Sequence, residues 1–190
     1  MLYQNKYRIE TVRYKNWNYS NEGLYFITIC VKKHQLLLGS ISDEKMILSE
    51  VGKCVDKCWK EIPDHFPFAK LDEYVIMPNH IHGIIEICHA DRETQTLVSL
   101  QSIPDRKPGN FGPQTKNLPS IIRGFKIGVK KCALVKGTCF NWQKGYYDHI
   151  VSRDKELNNI RNYIRANPTS WELDRYNMDF VETQDFVSQE

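Results

Sequence analysis

The chain has 190 residues and lacks several things that would settle its class at once. No run of about 18 apolar residues occurs, so no membrane-spanning helix is expected. The first twenty residues, MLYQNKYRIETVRYKNWNYS, hold no apolar core of the kind that marks a secretory signal, and a cytoplasmic protein is expected. Charge of one sign is also missing: the formal net charge is only +3. Cysteine is present six times, but without an export signal or the smallness that calls for disulfide bracing. Cys54 and Cys58 are four apart in a helical pattern, and no second pair completes a zinc site, so they read as small buried thiols. With 41% hydrophobic and 12% aromatic residues, the chain suits one domain with a full core.

The charge that is present is unevenly placed. From Leu118 to Lys136 lie Arg123, Lys126, Lys130, Lys131 and Lys136 without an acid. The first nineteen residues carry Lys6, Arg8, Arg13 and Lys15 against Glu10. Local basic patches on a near-neutral chain suit a protein that holds a phosphate backbone on one side.

Periodicity supplies the elements. LYFITICVK, 24–32, is dense in β-branched and aromatic residues and predicts a strand. The segment 46–62 spaces Ile47, Val51, Val55, Cys58 and Trp59 as a helix, ended by Pro63. AKLDEYVIM, 69–77, and HIHGIIEI, 80–87, are two apolar runs around Pro78-Asn79, which predicts an antiparallel hairpin. The stretch 89–117 has no periodicity and reads as a long loop. Leu118 to Lys136 is the clearest helix, with Ile121, Ile122, Phe125 and Val129 on one stripe. A strand over 140–152 follows, then a helix capped by Asp154 with Leu157, Ile160 and Ile164 buried. The expected architecture is therefore α+β: a ferredoxin-like, split βαβ antiparallel sheet. Two helices cover one face, and an additional C-terminal helix can return over the other. The expected organisation is a polar, basic arm over 1–22, one domain over 23–171, and an acidic tail over 172–190.

Two constellations can carry chemistry. In a strand, residues two apart share a face, so His80 and His82 stand side by side about 7 Å apart at the backbone and could share a cation. Their face also holds Ile84 and Glu86, while Ile81, Ile85 and Ile87 point to the opposite core. Position 84 is Ile, which removes the third histidine of an H-x-H-x-H nucleotide hydrolase. On the last helix, Tyr163 and Asn167 are one turn apart on one face. Asn167 could offer a carbonyl oxygen to a metal, and a phenol is an adequate nucleophile toward a phosphate beside one.

Three segments in order, YVIMPNHIHGIIEI, LPSIIRGFKIGVKKCA and FNWQKGYYDHIVSRDKELNNIRNYIRANP, resemble the HUH single-tyrosine transposases, most closely the REP-associated tyrosine transposases. The resemblance spans about 24–171. It implies a metal-dependent single-strand DNA endonuclease and strand transferase that cuts near hairpin or palindromic elements through a 5′-phosphotyrosine intermediate. It makes Tyr163 the nucleophile, His80 and His82 the metal pair, and Asn167 a further ligand for Mg or Mn. Arg123, Lys126 and Lys130 are expected to follow the DNA backbone, and Tyr7, Tyr14, Trp17 and Tyr19 of the arm to stack on bases. His149 matches the family pattern without an assigned role. Tyr146 and Tyr147 are rival nucleophiles ranked well behind Tyr163, and on a strand they are expected rather to pack or to stack on bases, with Tyr147 an accessory candidate. A domesticated hairpin-binding protein that no longer transposes is the alternative. The expected partner is single-stranded or hairpin DNA, with no membrane, and with monomer and homodimer both open.

Overall fold

A computed structural model describes residues 17–88, 116–174, 176 and 177. Four strands form one antiparallel sheet: β1 (Gly23–Cys30), β4 (Ala69–Ile76), β5 (His80–Ile87) and β6 (Tyr147–Val151), in the order β4-β5-β1-β6. Numbering only these four, that is the 2-3-1-4 order of the split βαβ arrangement expected from the sequence. The central strands β1 and β5 are almost wholly buried, as strands covered on both faces must be. Their registers place Thr28 opposite both His82 and Tyr147, Cys30 opposite His80, and Phe26 opposite both Ile84 and His149. Residues directly opposite share a face, so these pairs fix which side chains meet.

The two faces of the sheet are different layers. On one, α1 (Glu50–Lys60) and α3 (Leu118–Val135) pack side by side over Tyr25, Ile27, Ile29, Ile81, Ile85 and Ile87. Here Gly83 is required: a Cβ on it would come within 2.3 Å of the Trp59 ring. On the other, Leu157, Ile160 and Ile164 of α4 (Asp154–Ala166) close over Phe26, Val75, Ile84 and Val151. The short helix α2 (Ile62–His65) follows α1, with Pro63 in its first turn.

Capping chemistry sets the helix starts. Ser49 accepts from Gly52 N at the head of α1, and Asn117 and Ser120 form a reciprocal capping box at the head of α3. The start of α4 differs from the expected Asp154 cap. Arg153 occupies that position without a side-chain bond, and Glu156 reaches back instead to Ser152 N at 2.9 Å. The expected helix over 46–62 also begins later. Asp43 and Glu44 turn through positive φ and close a hairpin of β2 (Gly39–Ser42) and β3 (Lys45–Leu48), so Met46 and Ile47 are strand residues. The strand expected over 140–152 is regular only from Tyr147. Before it, Trp142 bridges singly to Val31, and Gly145 turns at φ 82°.

The cysteine reading needs one correction. Cys54 on α1 and Cys132 on α3 form a disulfide, with Cα atoms 5.8 Å apart, whereas Cys58 remains a thiol. Helical spacing places each cysteine on its own helix but says nothing about which residue of the neighbouring helix it faces. Two aromatics expected to stack on bases are structural instead. Tyr19 is buried and donates its hydroxyl to Asp148 Oδ2, while Trp17 Nε1 donates to the Tyr25 hydroxyl at 3.1 Å. Tyr7, Tyr14 and the loop residues 89–115 lie outside the described residues. No helix among the described residues is long and apolar enough to cross a membrane.

Candidate metal and tyrosine site

Strand alternation turns His80 and His82 toward the α4 face of the sheet, and both are fully buried. Burying two imidazoles is costly unless each nitrogen is satisfied. Asn79 Nδ2 donates to the carbonyls of His34 and Tyr176, at 3.2 and 2.7 Å, so its Oδ1 is the acceptor that faces His80 Nδ1 at 2.7 Å. That contact places the His80 proton on Nδ1 and leaves a lone pair on Nε2. Across the sheet, Thr28 Oγ1 holds His82 Nδ1 at 2.8 Å. The two Nε2 atoms then meet at 3.0 Å. Two ring nitrogens this close need a proton or a cation between them. Partners on the outer nitrogens that fix ring orientation are the arrangement expected around metal-ligating histidines.

An oxygen donor stands beside them. Among the described residues, His80, His82 and Asp174 form a group whose candidate ligand atoms all lie within 4.8 Å of one another. Asp174 Oδ2 is 4.0 Å from His80 Nε2. This mixed nitrogen and oxygen set could hold a divalent ion. Asn167 Oδ1, at the C-terminal cap of the helix that carries Tyr163, is also buried and has no hydrogen-bond partner among the described residues.

Tyr163 projects from α4 over this pair. Its hydroxyl is 3.2 Å from His82 Nε2, while the residue as a whole is 45% exposed. Phe26 stacks on the His82 ring at 5.4 Å and meets the Tyr163 ring edge-on at 6.2 Å. Two ion pairs tie α4 down. Arg161 Nε donates to Asp72 Oδ1 at 3.0 Å, and Arg165 engages Glu73. Both acids sit at the β4 register shift between Leu71 and Tyr74, which lets consecutive residues turn to the same helix. The Arg161 guanidinium holds the Asp72 carboxyl below its ordinary value.

His149 gains a place. Its Nε2 meets Glu156 Oε1 at 2.7 Å, joining β6 to the first turn of α4. Bonds from Ser152 N and from His149 push the Glu156 carboxyl down to about 2. Of the rival tyrosines, Tyr146 packs against the core on the α1/α3 side, whereas Tyr147 lies on the histidine face and is 39% exposed.

The structure does not bring Arg123, Lys126 and Lys130 to the histidines. They belong to α3, which packs on the opposite face of the sheet. Arg123 and Lys130 are exposed. Lys126 Nζ donates to the carbonyls of Gln143 and Gly145, and burial pushes its ammonium down to about 8. Sequence reasoning missed Thr28, Phe26, Asp174 and Tyr176. The last two lie in the stretch expected to be an acidic tail. There a 3₁₀ turn, Trp171–Leu173, leads into Asp174, and the Tyr176 ring lies between those of His80 and His34, at 4.7 and 5.7 Å.

No protein-family model matches the chain. A protein of Haemophilus influenzae, described only as uncharacterized, is 42% identical over 170 residues, covering 89% of this chain and 93% of its own. A second Haemophilus influenzae protein, a candidate REP-associated tyrosine transposase, is 24% identical over 151 residues, 80% of this chain and 73% of its own. Among solved structures, a REP-associated tyrosine transposase bound to a REP hairpin superimposes with a TM-score of 0.55 at 16% identity, over 83% of this chain and 73% of that one. The chain therefore belongs to one family with the 42%-identical Haemophilus protein, on the fold of the REP-associated tyrosine transposases that its motifs resemble.

Proposed function

We propose that the protein is a metal-dependent single-strand DNA endonuclease and strand transferase of the HUH single-tyrosine type, acting beside hairpin or palindromic elements. The observation that carries this reading is the Tyr163 hydroxyl standing 3.2 Å from Nε2 of His82, which is itself 3.0 Å from Nε2 of His80. His80 and His82 would hold Mg²⁺ or Mn²⁺, with Asp174 or Asn167 supplying oxygen. When bound, the ion supplies Lewis-acid stabilisation to the charge that grows on a non-bridging phosphate oxygen.

The chain's own groups account for the remainder. Thr28 and Asn79 keep the two imidazoles aimed inward, and Phe26 with α4 sets the angle of the phenol. The Tyr163 oxygen bonds to phosphorus as the bond to the 3′ oxygen breaks in line. The phenol gives up its proton and the departing 3′ oxygen gains one, so charge balances. The product is a 5′-phosphotyrosine and a free 3′-OH. Attack by another 3′-OH reverses the step and rejoins the strand without an external energy source. His149 acts through Glu156 on the seating of α4 and does not touch the reacting atoms. The histidines and the tyrosine meet within one copy of the chain, which supports a site that one copy can complete. Arg123 and Lys130, exposed on the far layer, are available to the phosphates of a hairpin stem away from the cut. The hairpin held by the structural relative supports that class of substrate.

The test is cleavage of end-labelled single-stranded hairpin DNAs, drawn from repeats flanking the gene, with Mn²⁺ or EDTA. Wild type should yield 3′-OH products only with metal, and His80→Ala or His82→Ala should lose at least about a hundredfold in rate, the loss of about 2.7 kcal/mol of transition-state stabilisation. Cleavage that persists in EDTA, or in both histidine variants, would overturn the reading.

A further inference from the structure

Tyr147 is not used in the steps above, yet its position is specific. It lies in one cross-strand row with Thr28 and His82, on the face that carries the site. Two strand spacings of about 4.8 Å put it roughly 10 Å from His82 at the backbone. Tyr147 is 39% exposed on β6, the edge strand of the sheet, whereas the larger share of α4 packs over β4 at the other edge. Between Tyr163 and Tyr147 the sheet offers Thr28, a small side chain.

The end of the sheet beside this row is basic. The segment 141–143 runs along the end of β1: Lys32 N donates to Asn141 O at 3.0 Å, and Gln143 N to Cys30 O at 2.8 Å. Lys126 holds the next turn through the carbonyls of Gln143 and Gly145. Lys32, Lys33 and Lys144 are therefore gathered at one end, all exposed. The two described segments that build it carry no acid: none lies from Gly23 to Ser42, and none from Lys116 to Tyr147. A planar exposed ring beside a cationic rim is the surface that single-stranded nucleic acid uses, with bases stacking on the ring and phosphates following the charge.

We infer that the β6 edge is the entry path of the single strand, where Tyr147 stacks on a base within about three stacked steps, ~3.4 Å each, of the scissile phosphate, and Lys144 and Lys32 hold the phosphates beside it. This rests on the DNA-nuclease reading of the site and adds to it a base-binding position on the opposite side of the histidines from α4. Tyr147 is here a substrate-binding residue and not a second nucleophile.

The test separates binding from chemistry. A fluorescein-labelled, mixed-sequence deoxyoligonucleotide of about 15 nucleotides, long enough for one such site, is titrated with protein in EDTA and followed by anisotropy at several salt concentrations. Tyr147→Ala should weaken binding by about 5- to 100-fold, while Tyr147→Phe, which keeps the ring, stays within about twofold. Lys144→Ala should lower the salt slope by about 0.7, the value for one phosphate contact on a single strand. Lys57→Ala, on the opposite layer, should change nothing. Wild-type affinity in a folded Tyr147→Ala, or equal losses in Tyr147→Ala and Tyr147→Phe, would overturn the inference. If no cleavage is found with metal but Tyr147→Ala still loses binding, the path stands and the nuclease reading falls. If cleavage is found and Tyr147→Ala binds and cuts like wild type, the nuclease reading stands and the path falls.

Discussion

At the scale of single residues, the site depends on what stands behind the histidines. Thr28 and Asn79 occupy the outer nitrogens of His82 and His80, and neither would touch a bound ion. If His80 and His82 are ligands, Thr28→Val and Asn79→Ala should each reduce Mn²⁺ affinity by about 10- to 100-fold, the usual loss for such supporting bonds. Calorimetric titration of folded variants checks this, and unchanged affinity in both would count against the histidine pair as the metal site. Asn79→Ala should be the more severe, because it also releases the carbonyls of His34 and Tyr176. These residues differ in how legible they were. His80 and His82 follow from a period of two, and Tyr163 and Asn167 from a period of four. Thr28 becomes a partner only through the register of β1 on β5, which no local pattern encodes. Asp174 and Tyr176 lie in a segment without periodicity, placed by contacts with Asn79 and the histidine rings.

At the scale of elements, the central question is what holds α4. Its buried face is short, with Leu157, Ile160 and Ile164 against a small cluster, so the Arg161–Asp72 and Arg165–Glu73 pairs on either side of Tyr163 set its seat. Arg161→Ala should lower the melting temperature modestly, as expected when an ion pair near the surface is lost. If Tyr163 is the nucleophile, the same variant should also slow cleavage while leaving oligonucleotide affinity near wild type, as expected for a residue that positions it. The pH dependence follows from the sign of the Asp72 shift. Its folded pKa is depressed, so its contribution is fully present above the unfolded value of about 3.9 and is lost as pH falls through the lower folded value. Thermal melts of wild type and Asp72→Asn should therefore converge as pH is lowered below about 4. A constant gap across that range would show that the pair contributes nothing through ionisation. The elements themselves were legible where one pattern dominates, as in α3. They were not where a turn decides. Asp43-Glu44 closes a hairpin within a segment whose apolar spacing also fits a helix, and Gly145 delays β6.

At the scale of the whole molecule, the sheet order and the return of α4 over the second face agree with the order of predicted elements, because split βαβ connections leave few alternatives. The placement of the basic helix was not legible. The charges of α3 are visible in sequence, but only the packed layers show that α3 and the histidines lie on opposite faces. On the proposed function, the reacting phosphate would lie between α4 and the β6 edge, and Tyr163 would become attached to DNA. The most direct measurement is covalent trapping on labelled single-stranded hairpin DNA with Mn²⁺, followed by denaturation and peptide mapping of the adduct. The expected result is a metal-dependent adduct on Tyr163 that disappears in Tyr163→Phe and is absent with duplex DNA. An adduct that survives Tyr163→Phe, or that maps to Tyr146 or Tyr147, would contradict it.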